Sequence, residues 1–300
     1  MTKPEPREHR VPFAKFFTVI TLEFVGFIAL FAILAPNMFH AETREPWHVL
    51  MWTAMIGLPL SLFEYFYHRY MLHSAILPFM SSMHRAHSTH HGLTYVKAPV
   101  NPKDPAMLVE VKSEFPVEEP HQEESMMFPL WSLPIFVAVF LVLFALPLKL
   151  MFPAEPILLS LILSVTAYYV SYEVWHAILH LPFEQFWQPM MEGRVTKRLF
   201  RRLYGFHLMH HWRPTSNIAI VGFWGVAIWD YAFKTHRRPE RLPLDGAQVN
   251  YHDATLSKPL WPIALFDRWQ AGLYKGSRRL EKFLARVFLR RKTAEVTEQR

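Results

Sequence analysis

The chain of 300 residues is 51% hydrophobic, carries a net charge of +7 and contains no cysteine. The lack of thiols excludes disulfides, iron–sulfur clusters and thiolate-bound haem. Its apolar residues are clumped into four stretches of about bilayer length, ~20 residues each, which excludes an ordinary soluble domain and predicts an all-α integral membrane protein.

Residues 16–35 form the first stretch, behind a polar head with Lys3, Arg7, Arg10 and Lys15. It is long, holds Glu23 and lacks a small-residue cleavage site, so a retained span is expected rather than a cleaved signal peptide. The second stretch, residues 49–67, follows a loop whose only lysine or arginine is Arg44; Pro59 inside it predicts a kink. This helix is expected to run past the bilayer through His73, carrying Glu64 and His68. His84, His87, His90 and His91 come next. Residues 92–128 are punctuated by proline and rich in acid (Glu110, Glu114, Glu118, Glu119, Glu123, Glu124), and read as an irregular loop.

The third stretch, 131–148, and the fourth, 157–178, are joined by a loop whose only lysine or arginine is Lys149. The fourth is expected to continue through Glu173, His176 and His180 to the break at Leu181-Pro182. Residues 196–211 predict a helix, with a basic stripe of Arg194, Lys197, Arg198, Arg201 and Arg202 ahead of His207, His210 and His211. Residues 218–233, apolar and aromatic around Asp230, are too short for a span and predict a re-entrant or interfacial helix. Residues 265–289 predict a basic amphipathic helix lying on anionic lipid, with Arg278, Arg279, Lys282 and Arg286.

Lysine and arginine crowd the head and everything after the fourth stretch. The positive-inside rule then places both termini in the cytoplasm, and all ten grouped histidines on that side. The expected location is a bacterial inner membrane, or the endoplasmic reticulum in a eukaryote. The expected division is a tail (1–15), a four-span membrane domain with a helical cytoplasmic cap (16–256) and a basic C-terminal helix and tail (257–300). The basic surplus sits beside the spans, so a membrane surface and no nucleic acid is expected as its partner.

The ten histidines read His68-x4-His73, His87-x2-His90-His91, His176-x3-His180 and His207-x2-His210-His211. Neutral imidazole is the commonest side-chain metal ligand, and helix positions three and four apart share a stripe. Ten imidazoles are too many for one ion and suit two. About five nitrogens per ion exceed the tetrahedral set of a structural zinc and fit iron best, with zinc accepted as a substitute. Metal-bound imidazoles need their outer nitrogens held by an acceptor, and Glu64, Glu173 and Asp230 are the carboxylates placed for that role. His84 is a further candidate as ligand or supporting donor.

From about residue 64 to residue 236 this order of histidine groups resembles the membrane fatty acid hydroxylase superfamily, which includes the sterol desaturases. Within it the spacing is most similar to the fatty acid 2-hydroxylase pattern. Residues 217–235, with Trp229-Asp230 and Phe233-Lys234-Thr235, resemble the W-D-x-x-F-G-T element of that superfamily, with Lys234 where glycine is common. Carotenoid ring hydroxylases share similar wording but are shorter and space the third pair differently. The resemblance implies that the ten histidines bind two irons, and that O2 is used to hydroxylate a C–H bond of a fatty acyl lipid. Desaturation, or oxidation of a sterol or carotenoid, is the alternative within the superfamily. A metal transporter is the alternative of another class, although transport calls for ligands near mid-bilayer. The chain has no room for the cytochrome b5 domain fused to some relatives, so a separate electron donor of ferredoxin or cytochrome b5 type is expected. The basic stripe before His207 is the candidate dock for an acidic donor, or a grip on anionic headgroups.

Overall fold

The computed structural model describes residues 13–100, 108–115, 122, 125–244, 249–254 and 258–298, with side chains described as far as 287. Lys3, Arg7, Arg10, Glu118, Glu119, Glu123 and Glu124 lie outside the described residues. Helix α1 (Phe13–Leu34) is followed by a short α2 (Pro36–Glu42) and by α3 (Pro46–Phe66), which runs into a π-helical turn at Tyr67–Leu72. Proline opens both α2 and α3, where its missing N–H and fixed φ cost nothing. Then come α4 (Ser81–Leu93) and a two-stranded antiparallel ribbon, β1 (Tyr95–Lys97) with β2 (Glu110–Lys112). Helix α5 (Ser132–Phe140) continues through a π-helical turn at Leu141–Ala145 into Leu146–Met151, and α6 covers Ile157–Leu179. The chain closes with α7 (Gln188–Glu192), α8 (Lys197–Trp212), α9 (Ile228–Ala232) and the long α10 (Trp261–Glu298).

Four of these helices are long and apolar enough to cross a membrane: Phe13–Leu34, Pro46–Leu72, Ser132–Met151 and Ile157–Leu179. They match the four expected stretches to within a few residues. The second, at 27 residues, is about 40 Å long at ~1.5 Å per residue. That exceeds the ~30 Å hydrocarbon core, so its histidine-bearing end can stand clear of the apolar layer.

The pairing of α3 with α6 is the centre of the bundle. Ser160 Oγ donates to the Val49 carbonyl at 3.1 Å and Ser164 Oγ to the Thr53 carbonyl at 2.9 Å. Small hydroxyl residues let the helices approach, and hydrogen bonds between spans contribute about 0.6–2 kcal/mol each. Helix α1 fully buries only Phe16 and Ile20, with Phe16 against Tyr169 of α6; Phe13 and Phe27 are half-buried against the core, while Phe17, Leu22, Val25, Leu30, Ile33 and Leu34 are exposed.

Two stretches differ from expectation. The acidic loop 92–128 contains the β1–β2 ribbon, whose exit places Ser113 beside the histidines. Residues 218–233 are helical only at Ile228–Ala232. The rest descends beside α3 as irregular backbone: Ile218 lies at His68, Gly222 at Glu64, and Trp224 Nε1 donates to the Ala54 carbonyl at 2.9 Å. It climbs back through Trp229, whose Nε1 donates to Ser61 Oγ at 2.8 Å, and Thr235, which accepts from Tyr65. Gly57 leaves the room for Trp224, since a Cβ there would meet its indole nitrogen.

Irregular backbone beside a span must find its hydrogen bonds inside the protein. Glu64 accepts from the N–H groups of Ile220, Val221 and Gly222 at 2.6–2.9 Å, and Asp230 from those of Ile218 and Ala219 at 2.9 and 3.0 Å. Two carboxylates thus satisfy five consecutive donors.

Candidate metal centre

His68 and His73 lie five residues apart, which on an α-helix is about 140° around the axis, at 3.6 residues per turn. The wider π-helical turn closes that gap. The His73 N–H donates to the His68 carbonyl at 3.3 Å, and the two rings stack with centroids 5.2 Å apart and planes 16° apart. His176 and His180 share a face at the end of α6. Helices α4 and α8 present the two H-x2-H-H groups, and each divides its imidazoles between two clusters.

One cluster is His68, His73, His87, His91 and His210; the other is His90, His176, His180 and His207. Within each, one nitrogen per ring lies within 4.8 Å of all the others. His211 joins the second through a 3.0 Å approach of its Nε2 to His207 Nε2. The arrangement has an internal symmetry. Helix α4 gives its i, i+4 pair, His87 and His91, to the first cluster and His90 to the second; α8 gives His207 and His211 to the second and His210 to the first. The clusters share a wall where the rings of His91 and His211 stack at 4.3 Å.

The outer nitrogens are held by backbone carbonyls. His68 Nδ1 meets the Ile218 carbonyl at 2.6 Å, His180 Nδ1 that of Ser113 at 2.7 Å, and His210 Nδ1 that of Ser216 at 3.0 Å. His211 Nδ1 meets the Thr94 carbonyl at 3.0 Å. Each contact directs the opposite nitrogen, Nε2, into a cluster. The three expected carboxylates stand elsewhere. Glu64 and Asp230 hold the backbone that carries the Ile218 carbonyl, one layer further out than expected. Glu173 is buried, accepts from the Phe128 N–H at 3.0 Å with one oxygen, and among the described residues has no partner for the other. His84 belongs to neither cluster; its Nδ1 meets the Leu72 carbonyl at 2.6 Å, at the end of the π-helical turn.

Sequence reasoning passed over Thr94, Ser113, Ser216 and Ile218, because a carbonyl leaves no mark in side-chain chemistry. It also passed over Tyr168, whose hydroxyl donates to Glu64 at 2.6 Å, and Arg69. Arg69 is buried beside His68, donates to both oxygens of Asp267 at 3.1 and 2.7 Å and to the Thr215 carbonyl, and so ties α10 to the histidine end. An arginine this close to a span had to have such a partner, which was a readable signal.

The residues fit metal ions. Among the described residues, both ring nitrogens of His90, Nε2 of His91 and Nδ1 of His207 are buried with no hydrogen-bond partner, where buried polar atoms are almost always satisfied. Neighbouring Nε2 atoms stand 3.1, 3.1 and 3.2 Å apart in the first cluster and 2.9 and 3.0 Å apart in the second. Two nitrogens at ~2.1 Å from one ion are about 3.0 Å apart at a right angle and about 3.4 Å apart at the tetrahedral angle. The spacing therefore suits an ion with more than four ligands. Burial, reinforced by neighbouring rings, pushes the imidazoles of His73, His87, His90, His91, His207 and His211 well below their usual range, and burial brings His180 and His210 down to about 4. They are held in the neutral form that binds metal.

Against His68 and Glu64 lies a narrow cavity of ≈ 50 Å³ between α3, α5 and α6, walled by Leu60, Phe63, Tyr67, Phe136, Phe140, Tyr168 and Tyr172 among others. It points from the first cluster into the bundle, and its walls are almost wholly apolar. Comparison of the chain with models of known protein families, with curated proteins and with solved structures returned no match.

Proposed function

We propose that the chain is a membrane-embedded oxidase that holds two iron ions in its histidine clusters and uses O2 to hydroxylate a C–H bond of a fatty acyl lipid. The observation that carries this reading is the pair of all-imidazole clusters, side by side, the first of them meeting through His68 an aromatic-walled cavity between apolar helices. The order of histidine groups along the chain, which resembles that of the membrane fatty acid hydroxylases, supports it.

When bound, the metal pair supplies the activation of dioxygen that an unactivated C–H bond requires. The protein does the rest. The imidazoles of His73, His87, His90, His91, His180, His207, His210 and His211, kept neutral by burial, accept the ions without first losing protons. Carbonyls of Ile218, Ser113, Ser216 and Thr94 fix ring orientation. The walls of Phe63, Phe136 and Tyr172 exclude water and align an acyl chain toward His68. Glu64 keeps the Ile218 carbonyl in place by anchoring the backbone after it. The charge distribution supports a cytoplasmic position for the clusters, within reach of a separate, acidic electron donor at the exposed basic stripe Arg194, Lys197, Arg198, Arg201 and Arg202.

The test is reconstitution of the full chain in liposomes with iron, a reductant system and 18O2. The expected result is two irons per chain and a lipid alcohol carrying one 18O atom. Two metal ions with no oxidised lipid, but with metal crossing the liposome wall, would replace the oxidase by a transporter.

A further inference from the structure

A second, much larger groove of ≈ 1050 Å³ lies on the outer side of the descending backbone, bounded by α6, α8 and the segment after Trp212. Its floor is apolar: Val170 and Val174 of α6, Leu203 of α8, and Ile220, Trp224 and Val226 of the descending limb. It is also lined by Arg201, Arg202, Arg237 and Arg238, and no carboxylate lines it. Among the described residues none of these four guanidiniums has an acidic partner. Arg237 Nε is buried without any partner, while its Nη1 reaches only the His236 carbonyl, at 3.3 Å. Four guanidiniums lining one largely apolar groove, with no carboxylate in its lining, repel one another unless an anion joins them. Guanidinium matches the planar spacing of phosphate oxygens with paired donors.

We propose that this groove binds an anionic phospholipid of the bilayer, with an acyl chain along Val170, Val174 and Trp224 and the phosphate on Arg201, Arg202, Arg237 and Arg238. The occupant is not the molecule oxidised. Residues 218–222 stand between the groove and the first cluster, and no cluster histidine lines it. One face of Ala219–Val221 lines the groove, while their N–H groups are held by Asp230 and Glu64 and the neighbouring Ile218 carbonyl receives His68. A lipid here braces the backbone behind the metal ligands.

The experiment measures lipid retention by native mass spectrometry and the unfolding midpoint of the full chain, metal-free and metal-loaded, with phosphatidylglycerol, phosphatidylcholine or oleate added. Phosphatidylglycerol is expected to be retained at one copy and to raise the midpoint in both metal states, with phosphatidylcholine bound at least about tenfold more weakly, because each basic residue near an anionic headgroup adds to affinity. The triple variant R201Q/R202Q/R238Q, at exposed positions, should lose that preference, whereas R278Q/R279Q on α10 should keep it. Val174→Trp fills the trough and leaves the arginines in place; it should also abolish retention. Equal binding of both phospholipids, unchanged binding in the triple variant or in Val174→Trp, or oleate retained as tightly as phosphatidylglycerol, would each overturn the proposal. Because the readout is binding in both metal states, it stands or falls separately from the oxidase reading.

Discussion

Glu64 shows how far a carboxylate's task can lie from its apparent one. Four residues before His68, it looks like a partner for that ring, yet it gathers three consecutive N–H groups and the Tyr168 hydroxyl. Glu64→Gln keeps the shape but replaces an acceptor by a donor facing donors. It should destabilise the protein by about 2–4 kcal/mol, the range for breaking a buried charged network. Thermal unfolding reads the loss; an unchanged midpoint would show that the backbone 218–222 is held by other means. The histidines themselves set a pH dependence. Between pH 6.5 and about 4 an unfolded imidazole is protonated while buried His180 and His210 are not. The unfolded state then binds more protons, so the metal-free protein is at full stability above pH 6.5 and loses it as pH falls toward 4, by about 3 kcal/mol for each of these residues. Denaturant melts at pH 7.5, 6 and 5 should show a falling midpoint, and a flat series would mean that the rings reach water.

At the scale of elements, much was legible. Length and the absence of charge located four spans, and spacing located the helices that carry His87–His91, His176–His180 and His207–His211. The H-x4-H group was not legible as a shared face, because only a π-helical turn makes it one, and no residue type marks such a turn. The descending segment reads in the sequence as an apolar re-entrant or interfacial helix, but its irregular form depends on acceptors lent by Glu64 from 156–158 residues away in the chain, which local pattern cannot contain. Left-handed backbone at Asn217, Gly222, Trp224, Gly225 and Lys234 confines the helix there to Ile228–Ala232. Lys234, with φ 59°, also accounts for the glycine common at its place in the family resembled. Gly222 has φ +58°, and a Cβ on it would come 2.5 Å from the Val226 carbonyl oxygen. Gly222→Ala is therefore expected to cost about 1–3 kcal/mol and to lower metal content, since the turn bears on the Ile218 carbonyl. Full metal content in that variant would uncouple the turn from the clusters.

For the whole molecule the expected topology is an even number of crossings, with α2 on one side and α10 on the other. The chain has no native cysteine, so a single introduced thiol reports its own side. In intact cells an impermeant maleimide should label Thr43→Cys, on the exposed turn after α2, and leave Lys275→Cys of α10 untouched until the membrane is opened. The reverse pattern would turn the histidines outward.

If each cluster holds an ion, as proposed, the exchange of histidines between α4 and α8 has one more consequence. Neither helix can settle around one ion without also arranging ligands for the other, since each serves both. Ordering both helices is a cost met largely by the first ion, so the second binds to a site already assembled, which is positive cooperativity. A metal titration followed by mass spectrometry should show empty and doubly loaded protein with little of the singly loaded form. For the same reason His91→Ala should empty both positions rather than one.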